Sequence, residues 1–100
     1  MALLLSAPLA HAQEDDLARA RFFDHEGVRA FMENRFRDAM ALFKESYFAG
    51  GPPTELWNVA RCQLKLEDTA GAAETLATYL GKKNLAPDDR REAKRLLDEI

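Results

Sequence analysis

Phe36-Arg37-Asp38-Ala39-Met40-Ala41-Leu42-Phe43 is followed 33 residues later by Thr69-Ala70-Gly71-Ala72-Ala73-Glu74-Thr75-Leu76. The same step pairs Ala39 with Ala72, Phe43 with Leu76, Tyr47 with Leu80 and Phe31 with Leu64. It also pairs Gly27 with Ala60, and Ala60 in turn with Ala93. Small side chains are needed wherever two helix backbones approach closely, because larger ones hold them apart. Unrelated helix pairs rarely keep both small and large positions in phase, so the chain carries an internal repeat of the length that builds stacked arrays.

Outward from that stretch the apolar residues keep a helical period, and no run of strict alternation is long enough for a strand. The expected fold is all-α. From Gln13 a first stripe runs through Leu17, Ala20, Phe23, Gly27, Ala30 and Phe31, in a helix ending near Asn34. Phe36, Ala39, Met40, Phe43 and Tyr47 form a second stripe so soon afterwards that the two helices fold back as an antiparallel pair. Gly50-Gly51-Pro52-Pro53 breaks the chain, and Pro53 suits the first turn of a new helix because it has no amide proton to leave unbonded. The third stripe is Leu56, Val59, Ala60, Gln63 and Leu64. Asp68 is placed to cap a fourth helix with Ala72, Ala73, Leu76, Tyr79 and Leu80, and Lys82 and Lys83 suit its negative end. Pro87 opens a fifth, with Asp88, Asp89 and Glu92 at its positive end and Ala93, Leu96, Leu97 and Ile100 as its stripe.

Residues 20–52 and 53–85 resemble tetratricopeptide repeats, helical hairpins of about 34 residues. The resemblance rests on Phe23, Gly27, Phe31, Phe36, Ala39 and Phe43 in the first unit, with Pro52 or Pro53 at the boundary. In the second it rests on Leu56, Ala60, Leu64, Ala72 and Leu76, while Thr69 stands where the family has an aromatic. Residues 87–100 look like the first helix of a third unit without its partner, or a capping helix. The resemblance implies a right-handed superhelix of about two and a half stacked hairpins over residues 13–100. The run from Gly51 to Cys62 is most similar to tetratricopeptide proteins exported by Gram-negative bacteria.

Residues 1–12 stand apart. They are apolar except for Ser6 and His11, and Gln13-Glu14-Asp15-Asp16 follows abruptly. Ala2 to Ala10 supplies the apolar middle of an export signal and Ala10-His11-Ala12 its small-x-small cleavage site, so the expectation is cleavage after Ala12 and a periplasmic or secreted product. No Lys or Arg precedes Arg19, so the usual basic start is missing; the other reading is an N-terminal segment of a cytoplasmic protein. No Cys follows the small residues, which excludes a lipoprotein-type signal. An apolar run of roughly nine residues is too short to cross a bilayer, so no membrane span is expected.

Hydrophobic residues make up 47% of the 100 and charged residues 31%, a globular composition for one domain. A net charge of −3 gives no overall attraction to nucleic acid, so none is expected as a partner. The single cysteine, Cys62, excludes an internal disulfide and a cysteine-based zinc cage. Asp24, His25 and Glu26 are sequence neighbours, and on a helix neighbours point about 100° apart, so they cannot converge on one proton or metal. Cys62 sits in a helix interior where a thiol acts as a small apolar group, and no motif places a histidine beside it. With no phosphate, dinucleotide or metal motif, neither an enzyme nor a cofactor is expected.

Stacked hairpins of this kind present their first helices on a concave face that receives partner segments. The resemblance puts Arg21, Asp24, Val28 and Met32 of the first unit and Trp57, Asn58, Arg61 and Lys65 of the second on that groove, continued by Arg90, Arg91 and Lys94. Trp57 lies off the Leu56/Val59/Ala60 stripe, so its ring either lines the groove as an anchor or packs between units. Asn58 and Arg91 resemble two members of the clamp with which some family members hold a C-terminal carboxylate. Asp24 and Val28 stand where that clamp has a Lys and an Asn, and Asp24 would repel a carboxylate, so no such clamp is expected. Arg90, Arg91, Lys94 and Arg95 either attract an acidic partner or form a solvated face balanced by Asp88, Asp89, Glu92 and Asp98. The expected function is non-catalytic docking of a protein or peptide segment. The alternative is a structural subunit, or a piece of a larger envelope-associated assembly, that self-associates through residues 87–100.

Overall fold

The computed structural model describes residues 2–100, with side chains from Gln13 onward, so the leader reading of residues 1–12 falls outside the described side chains. The described residues form five helices and no strand: α1 (Ala2–Met32), α2 (Phe36–Phe48), α3 (Thr54–Lys65), α4 (Thr69–Leu80) and α5 (Pro87–Glu99). The chain is all-α. Each helix packs chiefly on its neighbour in sequence, an arrangement consistent with a helical repeat. Within α1/α2 the pairing runs in opposite directions: Ser46 Oγ donates to the Ala20 carbonyl (2.7 Å), while Ala30 and Ala39 share a core cluster nearer the turn. Among the described residues no helix is long and apolar enough to cross a membrane.

The 33-residue repeat reappears in the backbone of the two turns. Asn34 and Glu67 both have φ +62°. Arg35 and Asp68, which follow them, have φ −92° with ψ 72° and 73°. In each turn the second of these residues donates its N–H back into the preceding helix at 2.8 Å, Arg35 to Ala30 and Asp68 to Gln63, satisfying carbonyls the helix end leaves free. The side chains differ. Asp68 Oδ1 accepts from the Gly71 N–H (2.9 Å) and caps α4 as expected, whereas Arg35 makes no side-chain cap bond. Gly50, with φ +103°, makes the α2–α3 turn where a residue with a Cβ would be strained.

Two core clusters follow the stripes. Ala30, Ala39, Phe43, Val59 and Cys62 join α1, α2 and α3. Ala60, Leu76, Tyr79 and Ala93 join α3, α4 and α5, with Leu56, Trp57, Leu96 and Leu97 packed against them. The three small positions of the repeat are all buried, Ala60 and Ala93 completely. A Cβ on Gly27 would lie 2.7 Å from Phe43 Cε1. Gln63 belongs to the buried stripe because its Oε1 accepts a 2.7 Å hydrogen bond from Thr75 Oγ1.

Two expectations need correction. Leu17, placed on the buried stripe of the first helix, is 48% exposed because α2 ends at Phe48 and its partner stripe stops at Ser46 and Ala20. Lys82 and Lys83 do not lie in the last turn of the fourth helix, since α4 stops at Leu80. The carbonyls there are taken from α5: Arg90 Nη1 donates to Leu80 (2.8 Å) and Nη2 to Lys82 (3.1 Å), while the Lys82 ammonium lies over the Tyr47 ring at 5.6 Å.

Candidate interaction groove

The side chains of α1 and α3 frame two depressions that meet at Asn58. One, of about 250 Å³, is walled by Val28, Phe31, Met32, Phe43, Asn58 and Arg61. The other, of about 390 Å³, is walled by Leu17, Ala20, Arg21, Asp24, His25, Ser46, Gly50, Gly51, Pro52, Thr54, Glu55 and Asn58. The geometry therefore brings together Arg21, Asp24, Val28, Met32, Asn58 and Arg61 on one side of the fold. In the first depression Met32 is 79% exposed, and the Arg61 guanidinium lies over the Phe31 ring, 4.7 Å from its centre. Such stacking holds the charged group over an apolar floor. Lys65 extends the same pattern one turn on, with its ammonium 5.9 Å from the Phe36 ring centre.

The remaining candidates sit elsewhere. Trp57 is half-buried against the α3/α4/α5 cluster, its ring 6.4 Å from that of Tyr79, in a narrow depression with Thr54, Asp89 and Glu92. Of the two placements open to it, this is packing between units. Arg90 ties α5 to the end of α4, Arg91 pairs with Asp88 one turn earlier, and Lys94 is exposed. These three are not part of either depression.

Glu55 is the candidate residue that sequence reasoning missed. It lies in the first turn of α3 and is only 2% exposed. Its Oε1 accepts from Asn58 Nδ2 at 2.9 Å, while Oε2 is buried without a hydrogen-bond partner. Burial holds the carboxyl above its ordinary range, and the neighbouring Asp24 carboxylate pushes it further in the same direction. Asn58 opposes that shift. The Ser46 hydroxyl has one proton and gives it to the Ala20 carbonyl. A signal was present: Glu55, Val59, Cys62 and Gln63 share one buried helix face, and a charge on such a face is unusual. An acid just after Pro53 reads more simply as a solvent-facing helix start; here Asp24 of α1 and Ser46 of α2 lie against it.

No family model, curated protein or solved structure matches the chain. The site's character is therefore read from its chemistry. Burial pushes the Cys62 thiol up to about 11, and the side chain is fully covered as part of the core. Among the described residues no three His, Cys, Asp or Glu side chains are arranged to hold a metal ion. The groove has an apolar floor, a stacked cation and a carboxyl-lined cleft.

Proposed function

We propose that the chain is a tetratricopeptide-type interaction module, without catalytic activity of its own, that docks a segment of another protein along α1 and α3. The observation that carries the reading is the pair of adjoining depressions in which Val28, Met32, Asn58 and Arg61 meet, with Met32 exposed and Arg61 fixed over Phe31. Exposed apolar side chains beside a positioned arginine are the usual anchors of an interface. The superhelical form, the family resemblance and export after cleavage near Ala12 belong to the same proposal and are supported by the repeat and by the composition of residues 1–12.

The test is binding of a partner captured from periplasmic extract, measured against Met32→Ala, Arg61→Ala and, as control, Lys44→Ala on the exposed side of α2. Weakening by the first two and not by the third supports the groove. Equal binding by all three sinks it. Mass spectrometry of the cellular protein settles export: an intact Met1 removes the periplasmic assignment. The self-associating alternative draws on α5, where Ile100 is 44% exposed; Ala93, Leu96 and Leu97 pack back on the preceding hairpin. Sedimentation of a stable monomer at micromolar concentration sinks obligate assembly.

A further inference from the structure

We propose that the cleft between the N-terminal half of α1 and the start of α3 receives a primary ammonium, the side-chain head of a lysine in the docked segment. The cleft holds about 390 Å³ and is built around a carboxylate oxygen, Glu55 Oε2, that is buried and unpaired. A buried carboxyl oxygen without a donor is a defect in a closed core, and at the wall of a cleft it can turn to a donor from outside. Asp24 stands beside it on α1, half-buried. Asn58 commits its Nδ2 to Glu55 Oε1, which leaves its carbonyl oxygen as an acceptor at the same edge of the cleft. The carboxyl groups of Asp24 and Glu55, from two helices, and the amide of Asn58 line the same cleft and offer acceptors for the N–H donors of one ammonium.

The chemistry selects the ammonium over a guanidinium. A guanidinium pairs best with a carboxylate that offers both oxygens to its planar fork. One oxygen of Glu55 is already taken by Asn58, so the cleft presents a point, not a fork. The walls also carry Leu17, Ala20 and Pro52, apolar surface suited to a four-carbon stem. Arg21 and His25 also face the cleft, and among the described residues no Lys, Arg or His nitrogen lies within 4.0 Å of either carboxylate. No cation among the described residues therefore already pairs with these two carboxyl groups.

The inference rests on the docking reading, but the two fail separately, because its test needs no partner while docking is judged through Met32 and Arg61, outside this cleft. The full chain is titrated with Nα-acetyl-lysine methylamide, with the arginine analogue, and with the norleucine analogue, which keeps the stem and lacks the charge. The readout is the side-chain amide resonance of Asn58 and the backbone amides of Asp24 and Glu55. The expected result is saturable shifts with the lysine compound, at least tenfold weaker binding of the other two, and at least a tenfold loss in Glu55→Gln with no change in Lys44→Ala. Equal binding of norleucine, binding of arginine as tight as lysine, no saturable shift, or an unaffected Glu55→Gln each overturns the assignment. If Glu55→Gln does not fold by circular dichroism, Asp24→Asn replaces it with the same expected loss and the same refutation.

Discussion

Replacing Gly27 by alanine tests whether α1 and α2 approach as closely as the repeat of small residues requires. The added Cβ would lie 2.7 Å from Phe43 Cε1, 2.8 Å from Cδ1 and 3.2 Å from Cγ. Comfortable carbon–carbon contact is about 3.5–4.0 Å, so ring and helix must separate by roughly 0.8 Å. Phe43 is 2% exposed and shares its cluster with Ala30, Ala39, Val59 and Cys62, so the ring has nowhere to go without disturbing α3. Overpacking a filled core costs about 1–3 kcal/mol. Alanine in mid-helix recovers about 1 kcal/mol relative to glycine, leaving a net loss of about 1 kcal/mol, or roughly 4–8 °C in Tm for a domain of this size.

Gly27→Leu gains no more propensity and adds three further carbons at the same contact, so its loss should reach about 3 kcal/mol, the upper end for overpacking. Thermal unfolding followed by circular dichroism measures both. Phe43→Leu supplies the internal control, because it removes the ring atoms that the new Cβ would meet. In that background Gly27→Ala should become neutral or stabilising. A wild-type chain stabilised by Gly27→Ala, or a penalty that persists unchanged without the Phe43 ring, refutes the close approach.

Other consequences follow from single residues. Glu67 holds φ +62° at the position where the first turn has Asn34, so Glu67→Gly should raise stability by about 0.5–1 kcal/mol in a urea titration. Cys62 should resist iodoacetamide at pH 8 in the native chain and react in denaturant, since its thiol is fully covered and raised to about 11. Glu55, facing Asp24, Arg21, His25, Ser46 and Asn58, has a folded pKa above its unfolded value of 4.5. As pH rises past 4.5 the unfolded chain releases this proton first, so the contribution of Glu55 to stability falls until the folded group also ionises. The difference in unfolding free energy between Glu55→Gln and wild type should therefore grow with pH above 4.5, in favour of the variant. A difference that stays flat across that window refutes the assignment of the shift to Glu55.

The helices were legible because periodicity is a one-dimensional signal. Phe31, Ala39, Phe43, Leu64, Ala72 and Leu76 recur in phase, and residues that must share one side of a helix announce it by spacing alone. Asp68 was legible as a cap because its bond to Gly71 is local. The cap at the end of α4 was not, because the donor is Arg90, ten residues on from Leu80, and Lys82 and Lys83 offered the nearer charge. Trp57 was left between groove and packing because its place depends on α5 closing over Tyr79. Leu17 read as core from its spacing, yet it is 48% exposed near the end of the α1/α2 pairing.

Sequence by itself determined the all-helical class, the turns at Asn34 and Glu67, and the placing of small residues at Gly27, Ala60 and Ala93, since each follows from backbone preference or from a repeat read along the chain. Tertiary structure decided what the groove is made of. Glu55 and Asp24 lie 31 positions apart in the chain and become neighbours only when α1 and α3 both pack on α2. Burial then raises one carboxyl and leaves its second oxygen unpaired. Desolvation is a property of what surrounds a group, and nothing in the order of residues carries it until the helices have packed.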